Sequence, residues 1–320
     1  LTALRFAVLG HSLLAETRMA AIQQNPETEL VGSWPLEAVE TLDEAGCEEF
    51  FASADADAFI LALPASLASN AARLALKAGR HVLTELPGGH TVEDVVNLRD
   101  AERRSGKILK FGSSLRYHQS VQDARRHMAT GKFGRLLTAR AIYGHAGLPA
   151  GDATENGILL GHGIHMIDLL HLFCGPFEDC KAMRDTDAAP ERNLFALLRT
   201  GGGTFAQLHC SATSWRQTFR LELGFENGYL WLDGHLPGLP GYGPEVLVHA
   251  VLSKDGTDKP LPNPPENVLE YSQAPDGSDE LAEFLAAISG NASLESGTSH
   301  QAFDAMNIAQ RICAAAERWA

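Results

Sequence analysis

Between residues 5 and 118 the chain alternates short, continuously apolar runs with amphipathic stretches of helical length, and few folds satisfy that alternation. RFAVLG (5–10), TELVGSW (28–34), AFILALP (58–64), HVLTELP (81–87) and KILKFGSS (107–114) read as strands. The helical segments LLAETRMAAIQQN, SLASNAARLALKAG and TVEDVVNLRDAERRSG separate them. The second of these closes on Gly79 as a C-cap, and the third opens with Thr91 and Asp94 near its start. Strands apolar on both faces and separated by helices belong to a parallel, doubly wound sheet. The expected fold class is α/β.

After about residue 118 the pattern changes. A helix over 120–130 and the turn GKFG lead into the alternating strand LLTARAIYGHA, and a Gly-rich passage enters the helix GIHMIDLLHLFCG. From 180 to 270 strands with hairpin signals dominate, among them FRLELGFENGYLWLDG with its Glu-Asn-Gly turn. SDELAEFLAAISG and SHQAFDAMNIAQRICAAAERW close the sequence as helices. The expectation is two domains, 1–118 and 119–320. The second is α+β with a largely antiparallel open sheet, whose uncovered face is a candidate interface for a homodimer or homotetramer.

The formal net charge is −14, from 26 basic and 40 acidic residues. Such a surface repels phosphate backbones and anionic lipid, which argues against nucleic acid and membrane surfaces as partners. Arg103-Arg104 and Arg125-Arg126 are too short to reverse that balance locally. The five cysteines (47, 174, 180, 210 and 313) are odd in number and scattered, as expected of reduced thiols in the cytoplasm. No run approaches the roughly eighteen apolar residues of a membrane span, and the chain enters its first strand directly, without a targeting pattern.

The turn after the first strand is GHSLLA, residues 10–15. A strand, a tight glycine turn and a helix N-terminus bind pyrophosphate because backbone amides and the helix dipole face the anion. Gly10 supplies the turn and Ala15 the close helix–strand contact. His11, Ser12 and Leu13 lie between them, with Ser12 where the fingerprint has its middle glycine. The second strand ends on Ser33 and Trp34, with neither a carboxylate for the ribose of NAD nor an arginine for the phosphate of NADP. Ser33 is a weak partner for either form. Trp34 either stacks on adenine or covers the sheet edge. Leu63 and Pro64 at the tip of the third strand complete this candidate cofactor-binding set.

Taken together, DADAFILALPASLASNAARLALKAGRHVLTELP, FGSSLRYHQSVQDARRHMATGKFGRLLTARAIYGH, GIHMIDLLHLFCG and SGTSHQAFDAMNIAQRICAAAE resemble, in order, the segments of the Gfo/Idh/MocA oxidoreductases. The resemblance implies an N-terminal Rossmann domain, NAD or NADP as cofactor, and a small polyhydroxylated or carbonyl substrate, sugar or cyclitol-like. The family commonly uses the lysine of Glu-Lys-Pro, an aspartate two residues before the glycine of Gly-x-His-x-x-Asp, and the histidine of that motif. Here those positions hold Leu86, Gly161 and His165. Removing hydride from a carbinol requires a proton acceptor and a means to offset alkoxide charge. Of the three, only His165 is able to move a proton.

His162 is a second candidate catalytic imidazole, and Asp168 one turn after His165 is placed to steady it. His162 and His165 with Asp168, His145 and His209 suggest a loose alternative metal set; His162 reads equally as a structural residue, and His171 reads as a structural one. Glu85, Leu86 and Arg116 are expected near the cofactor, and Tyr117, Tyr143, His145 and Asp168 near the substrate. With the lysine and aspartate gone, two other functions stay open: a non-catalytic binding or regulatory protein, and a histidine-based lyase or isomerase.

Overall fold

The computed structural model describes residues 3–145, 156–185, 190–234, 245–253, 261–272 and 275–318. Two compact units divide the chain: Leu1–Tyr117 with Pro275–Asn307, and His118–Ala274 with Ile308–Ala320.

The first unit runs β1 (Leu4–Leu9), α1 (Leu13–Gln24), β2 (Thr28–Trp34), α2 (Glu37–Glu40), α3 (Glu44–Ser53), β3 (Ala58–Leu61), α4 (Ala65–Lys77), β4 (His81–Glu85), α5 (Val92–Ser105) and β5 (Leu109–Gly112). Its five strands pair in the order β2-β1-β3-β4-β5, all parallel. The chain steps one way from β1 to β2 and the other way to β3, which opens a crevice at the carboxyl ends of β1 and β3. Thr91 and Asp94 form a reciprocal capping box at the start of α5, as their spacing suggested.

Residues 275–307, expected in the second domain, group with the first. Leu281, Phe284 and Leu285 pack into the core built by Phe6, Val8, Ile22 and Ile60. Phe284 meets Phe6 edge-on, with ring centroids 6.1 Å apart. Burying a side chain of that size contributes about 1.5–3 kcal/mol, so α8 (Ser278–Ile288) is part of this core and not an appendage. On the other side of the sheet Trp34, Phe50, Phe51 and Phe59 form an edge-to-face aromatic chain.

The second unit contains α6 (Gln119–Ala129), β6 (Leu136–Gly144) and α7 (Ile164–Cys174), followed by β7 (Phe177–Arg184), β8 (Asn193–Thr200), β9 (Phe205–Ser211), β10 (Thr218–Phe225), β11 (Gly228–Gly234), β12 (Glu245–Val251) and β13 (Asn267–Tyr271). Among the described residues its sheet has nine strands, with β14 (Ala316–Arg318) last in the order β13-β12-β11-β10-β6-β9-β8-β7-β14. The pairs are antiparallel except β6–β9 and β14–β7. Glu226-Asn227 makes the tight hairpin that the sequence signals, with Phe225 opposite Gly228. Helix α9 (Ser299–Ala315) stops short of its expected end, and Ala316–Arg318 (β14) turns extended and pairs with β7. The edge of β7 thereby gains backbone partners that a further helical turn would have left unmet.

Alternation along these strands buries one face, with Leu194, Ala196, Leu198, Leu221, Leu223 and Leu232 all inside. The opposite face leaves Phe195, Leu197, Phe205 and Trp231 exposed by 48%, 62%, 61% and 47%. Trp215, in the loop before β10, is 94% exposed.

Candidate functional site

In the first unit, the turn between β1 and α1 is fixed by close backbone contact. Gly10 has φ of +114°, and a Cβ there would lie 2.2 Å from the carbonyl oxygen of Ala62. Its amide donates to the Trp34 carbonyl at 2.9 Å, tying the β2 tip to the turn. Ser12 is the N-cap of α1, its Oγ accepting from the Ala15 amide at 3.2 Å, while Glu16 donates to the Ser12 carbonyl. The amides of Leu13 and Leu14 are left without a partner among the described residues, as the first turn of a helix requires. His11, Ser12, Leu13 and Leu14 are all exposed at the crevice end of the sheet. Two free amides on a twelve-residue helix suit a pyrophosphate, so the turn fits a dinucleotide despite the serine.

The remaining cofactor candidates divide. Ser33 is exposed at the β2 tip, and Pro64 is exposed as the N-cap of α4 beside the buried Leu63. Trp34 packs onto its own unit. Its indole folds back along β2, where a Cβ on Gly32 would come within 2.2 Å of the ring, and it meets Phe50 at 5.4 Å. Leu86 is buried after β4, and the Leu86–Pro87 peptide bond is cis.

Glu85, expected to face the cofactor, is engaged inside the unit. One of its oxygens accepts from Arg18 Nε at 3.0 Å and from the terminal guanidinium nitrogen at 2.8 Å. Arg18 also reaches Glu280 at 2.6 Å and is itself only 3% exposed. Burial pushes the Glu85 carboxyl above its usual range, against the pull of Arg18. Tyr117, read as a substrate contact, belongs to the same polar interior. Its hydroxyl accepts from the buried Lys110 ammonium at 2.8 Å and donates to Glu283. Lys110 also donates to the Ser296 carbonyl at 2.6 Å, and burial lowers its pKa. Arg116 is buried beside them in sequence. A lysine inside the apolar run KILKF was the available signal for this network, and an arginine on the strand-facing side of α1 was another.

In the second unit the structure brings three of the named residues together. Tyr143 lies at the end of β6 and His145 directly follows the strand, held by its backbone, its amide donating to the Ser211 carbonyl and its carbonyl accepting from the Ser214 amide. Leu159–Gly163 form a π-turn that runs into α7 and carries His162. Its start is anchored by Glu191, whose carboxylate accepts from the Leu159 amide at 3.2 Å. Gly163 lets α7 approach β9, since a Cβ there would stand 2.7 Å from the Cys210 sulfur. His162 stacks against Tyr143 with centroids 5.7 Å apart and tilts against His145 at 4.6 Å.

These imidazoles are poorly satisfied. His145 is 1% exposed, and neither of its ring nitrogens has a partner among the described residues; His162 Nδ1 is in the same position. Unpaired buried polar atoms cost stability and in a native protein ask for a ligand or water. Burial lowers the His145 pKa. Burial, with His145 and His165 as like-charged neighbours, pushes His162 down to about 3. Burial raises the Tyr143 and Cys210 pKa values, so this cluster is uncharged at neutral pH. His165 follows on the first turn of α7, and Asp168 is buried one turn on.

The alternative metal set does not assemble. Among the described residues no group of three potential ligands is placed to hold an ion. His209 alternates with Cys210 along β9 and stacks on Phe195 at 3.9 Å. His171 packs edge-on against Phe177 at the far end of α7.

Comparison with known proteins covers both units. The family model for the oxidoreductase family's NAD-binding Rossmann fold matches residues 4–113, and that for the GFO/IDH/MocA C-terminal domain matches 121–231. A dTDP-3,4-didehydro-2,6-dideoxy-alpha-D-glucose 3-reductase of Streptomyces violaceoruber is 29% identical over 281 residues, 80% of each chain. A 1,5-anhydro-D-fructose reductase of Ensifer adhaerens is 27% identical over 76% of this chain and 73% of its own. The match to inositol 2-dehydrogenase 2 of Saccharopolyspora erythraea is 28% identical but spans only 38% of this chain and 36% of that protein. A 3-ketoreductase from Actinomadura kijaniata, solved with NADP and TDP-benzene, superimposes with a TM-score of 0.80 at 19% identity, covering 99% of both chains. The WlbA dehydrogenase of Bordetella pertussis, solved with NADH and UDP-GlcNAcA, gives 0.78 at 19% identity over 98% of this chain and 96% of that one. Among the described residues no helix is long and apolar enough to cross a membrane.

Proposed function

The chain belongs to the Gfo/Idh/MocA family of NAD(P)-dependent oxidoreductases, and on that premise we propose that it interconverts a hydroxyl and a carbonyl on a small sugar- or cyclitol-like compound, with histidines carrying the proton chemistry. The observation that supports this reading is the pair His145 and His162 beside Tyr143, with both ring nitrogens of His145 and Nδ1 of His162 buried and without a partner among the described residues. Neutral imidazole both donates and accepts, which suits the hydroxyls of a polyol. The relatives that span most of this chain act on sugars, as their names state.

A dinucleotide held at the Gly10–Leu14 turn would supply or take the hydride. His165 is the group proposed to move the hydroxyl proton, with Asp168 orienting it. His162, with its low pKa, is a weak base and is better suited to hold a substrate oxygen than to deprotonate it. Leu86 offers no cation against alkoxide charge, so turnover on common sugars is expected to be slow. A binding or regulatory role is the second reading, favoured by the buried Leu86 at the lysine position. The same proposal places the protein in the cytoplasm, supported by five free thiols. It also makes the protein a homodimer or homotetramer through the open sheet face.

Calorimetric titration with NAD and NADP, followed by a panel of keto-sugars and polyols, tests the reading. We expect saturable dinucleotide binding and turnover of at least one substrate, lowered about 100-fold or more by His165→Asn. Absence of binding by either dinucleotide at millimolar concentration would sink it. Binding without turnover would favour the second reading.

A further inference from the structure

From Met19 to Ala72 the sequence contains no lysine, arginine or histidine, while the same stretch carries ten carboxylates. Within it α2 and α3 follow β2 and supply the surface beyond the β2 tip, where the adenosine ribose of a dinucleotide lies in a fold of this kind, while Glu27, Glu29, Asp55 and Asp57 lie toward the opposite end of the strands. The tip itself is the exposed Ser33 and the folded-back Trp34. Glu37 and Glu40 on α2, Asp43 at the N-cap of α3, and Glu44 follow within ten residues, all exposed.

The nearest cations along the chain are already paired, and among the described residues none pairs with Glu37 or Glu40. Arg73 donates to Glu44 at 2.9 Å and Lys77 to Glu48 at 2.7 Å, so both α4 cations are committed to α3. Arg5, on β1, is taken by Asp55 and Asp57. Among the described residues, β2, α2 and α3 offer a 2′-phosphate at this end of the sheet no cation of their own. A free ribose diol carries no charge and needs only a hydrogen-bonding group, which the Ser33 hydroxyl provides.

We propose that the β2–α3 segment selects NAD(H) over NADP(H) by repelling the 2′-phosphate, with Glu37 and Glu40 as the specificity-determining residues. The selection differs from the usual arrangement, in which a carboxylate at the strand tip binds the ribose hydroxyls. Here discrimination comes from charge beyond the tip and is largely a penalty on the wrong cofactor. Because it acts through solvent between exposed groups, it weakens with salt, over a screening length of about 8 Å at physiological ionic strength.

The inference rests on the dinucleotide-binding reading above, and calorimetry on the full-length chain separates the two. We expect NADH to bind about tenfold or more tighter than NADPH at about 50 mM salt, and the ratio to shrink severalfold at about 500 mM. The double variant Glu37→Lys/Glu40→Lys should bring the two affinities within about threefold of each other. Glu27→Lys/Glu29→Lys, an equal charge change at the opposite end of β2, should leave the ratio unchanged. NADPH binding as tightly as NADH, or a ratio indifferent to the α2 reversal, overturns the selection while leaving the function standing. Failure of both dinucleotides to bind overturns the function and the selection together.

Discussion

Arg18 shows how far a single side chain can be committed before any ligand arrives. It lies buried between Glu85 and Glu280, joining α1, the end of β4 and α8. Arg18→Met leaves two buried carboxylates facing each other, and we expect a loss of about 3–5 kcal/mol in urea unfolding. Adding Glu85→Gln and Glu280→Gln should recover most of that loss, because the uncompensated charge goes with them. A change under about 1 kcal/mol for Arg18→Met would show that the ion pairs do not hold the unit. In the second unit the sign of the pH effect follows from His162. Its folded pKa of about 3 lies below the unfolded value near 6.5, so the unfolded chain binds more protons between those limits. The contribution is fully present above about pH 6.5 and is lost as the pH falls toward 3, and His145 acts in the same direction. Scanning calorimetry at pH 7.5, 6 and 5 should show His162→Gln losing less Tm on acidification than wild type; parallel profiles would contradict the assignment. At this scale the sequence disclosed the histidines and the missing lysine, because those depend on residue type and spacing. It did not disclose that Glu85 and Tyr117 are occupied internally, since their partners Arg18, Glu280 and Glu283 are distant in sequence.

The approach of α7 to β9 belongs to the scale of elements. The contact depends on Gly163, whose missing side chain makes room for the Cys210 sulfur. Gly163→Ala is expected to cost about 1–3 kcal/mol by overpacking. Cys210→Ala should relieve it, so the double variant would be more stable than the sum of the single changes in denaturant unfolding. Strict additivity would place the cost elsewhere. The parallel strands of the first unit were legible because burial on both faces leaves unbroken apolar runs, and the α5 capping box because its chemistry is local. Helix α3 was less visible, with EAGCEEFFAS burying only Cys47 and Phe51. β13 shows no buried face at all and is specified by its pairing with β12. β14 continues the composition of α9 and is extended through its ladder with β7, which no local signal encodes.

For the whole molecule, the open face of the nine-stranded sheet carries a groove of about 1040 Å³ lined by residues that include Arg140, Leu197, Phe205, Glu222, Tyr229 and Trp231. Exposed apolar groups in such number mark an interaction surface. Sedimentation should find the wild type as a dimer or larger, and Leu197→Glu with Phe205→Glu should shift it toward monomer without loss of ellipticity. A monomeric wild type would end the oligomer reading. The return of residues 275–307 to the first unit has a consequence for the order of synthesis. A ribosome releases β1 to β5 long before Leu281, Phe284 and Glu280 exist to complete that core, so the unit begun first is finished nearly last. Translation at about 5–20 residues per second leaves it waiting for on the order of ten to thirty seconds, with Phe6 uncovered and Arg18 lacking one of its two carboxylates. A fragment ending at residue 117 should therefore aggregate or stay protease-sensitive, and supplying 275–307 on a flexible linker should protect it. The first third of this sequence should thus be a nascent client for holding chaperones until residues 275–307 have been made.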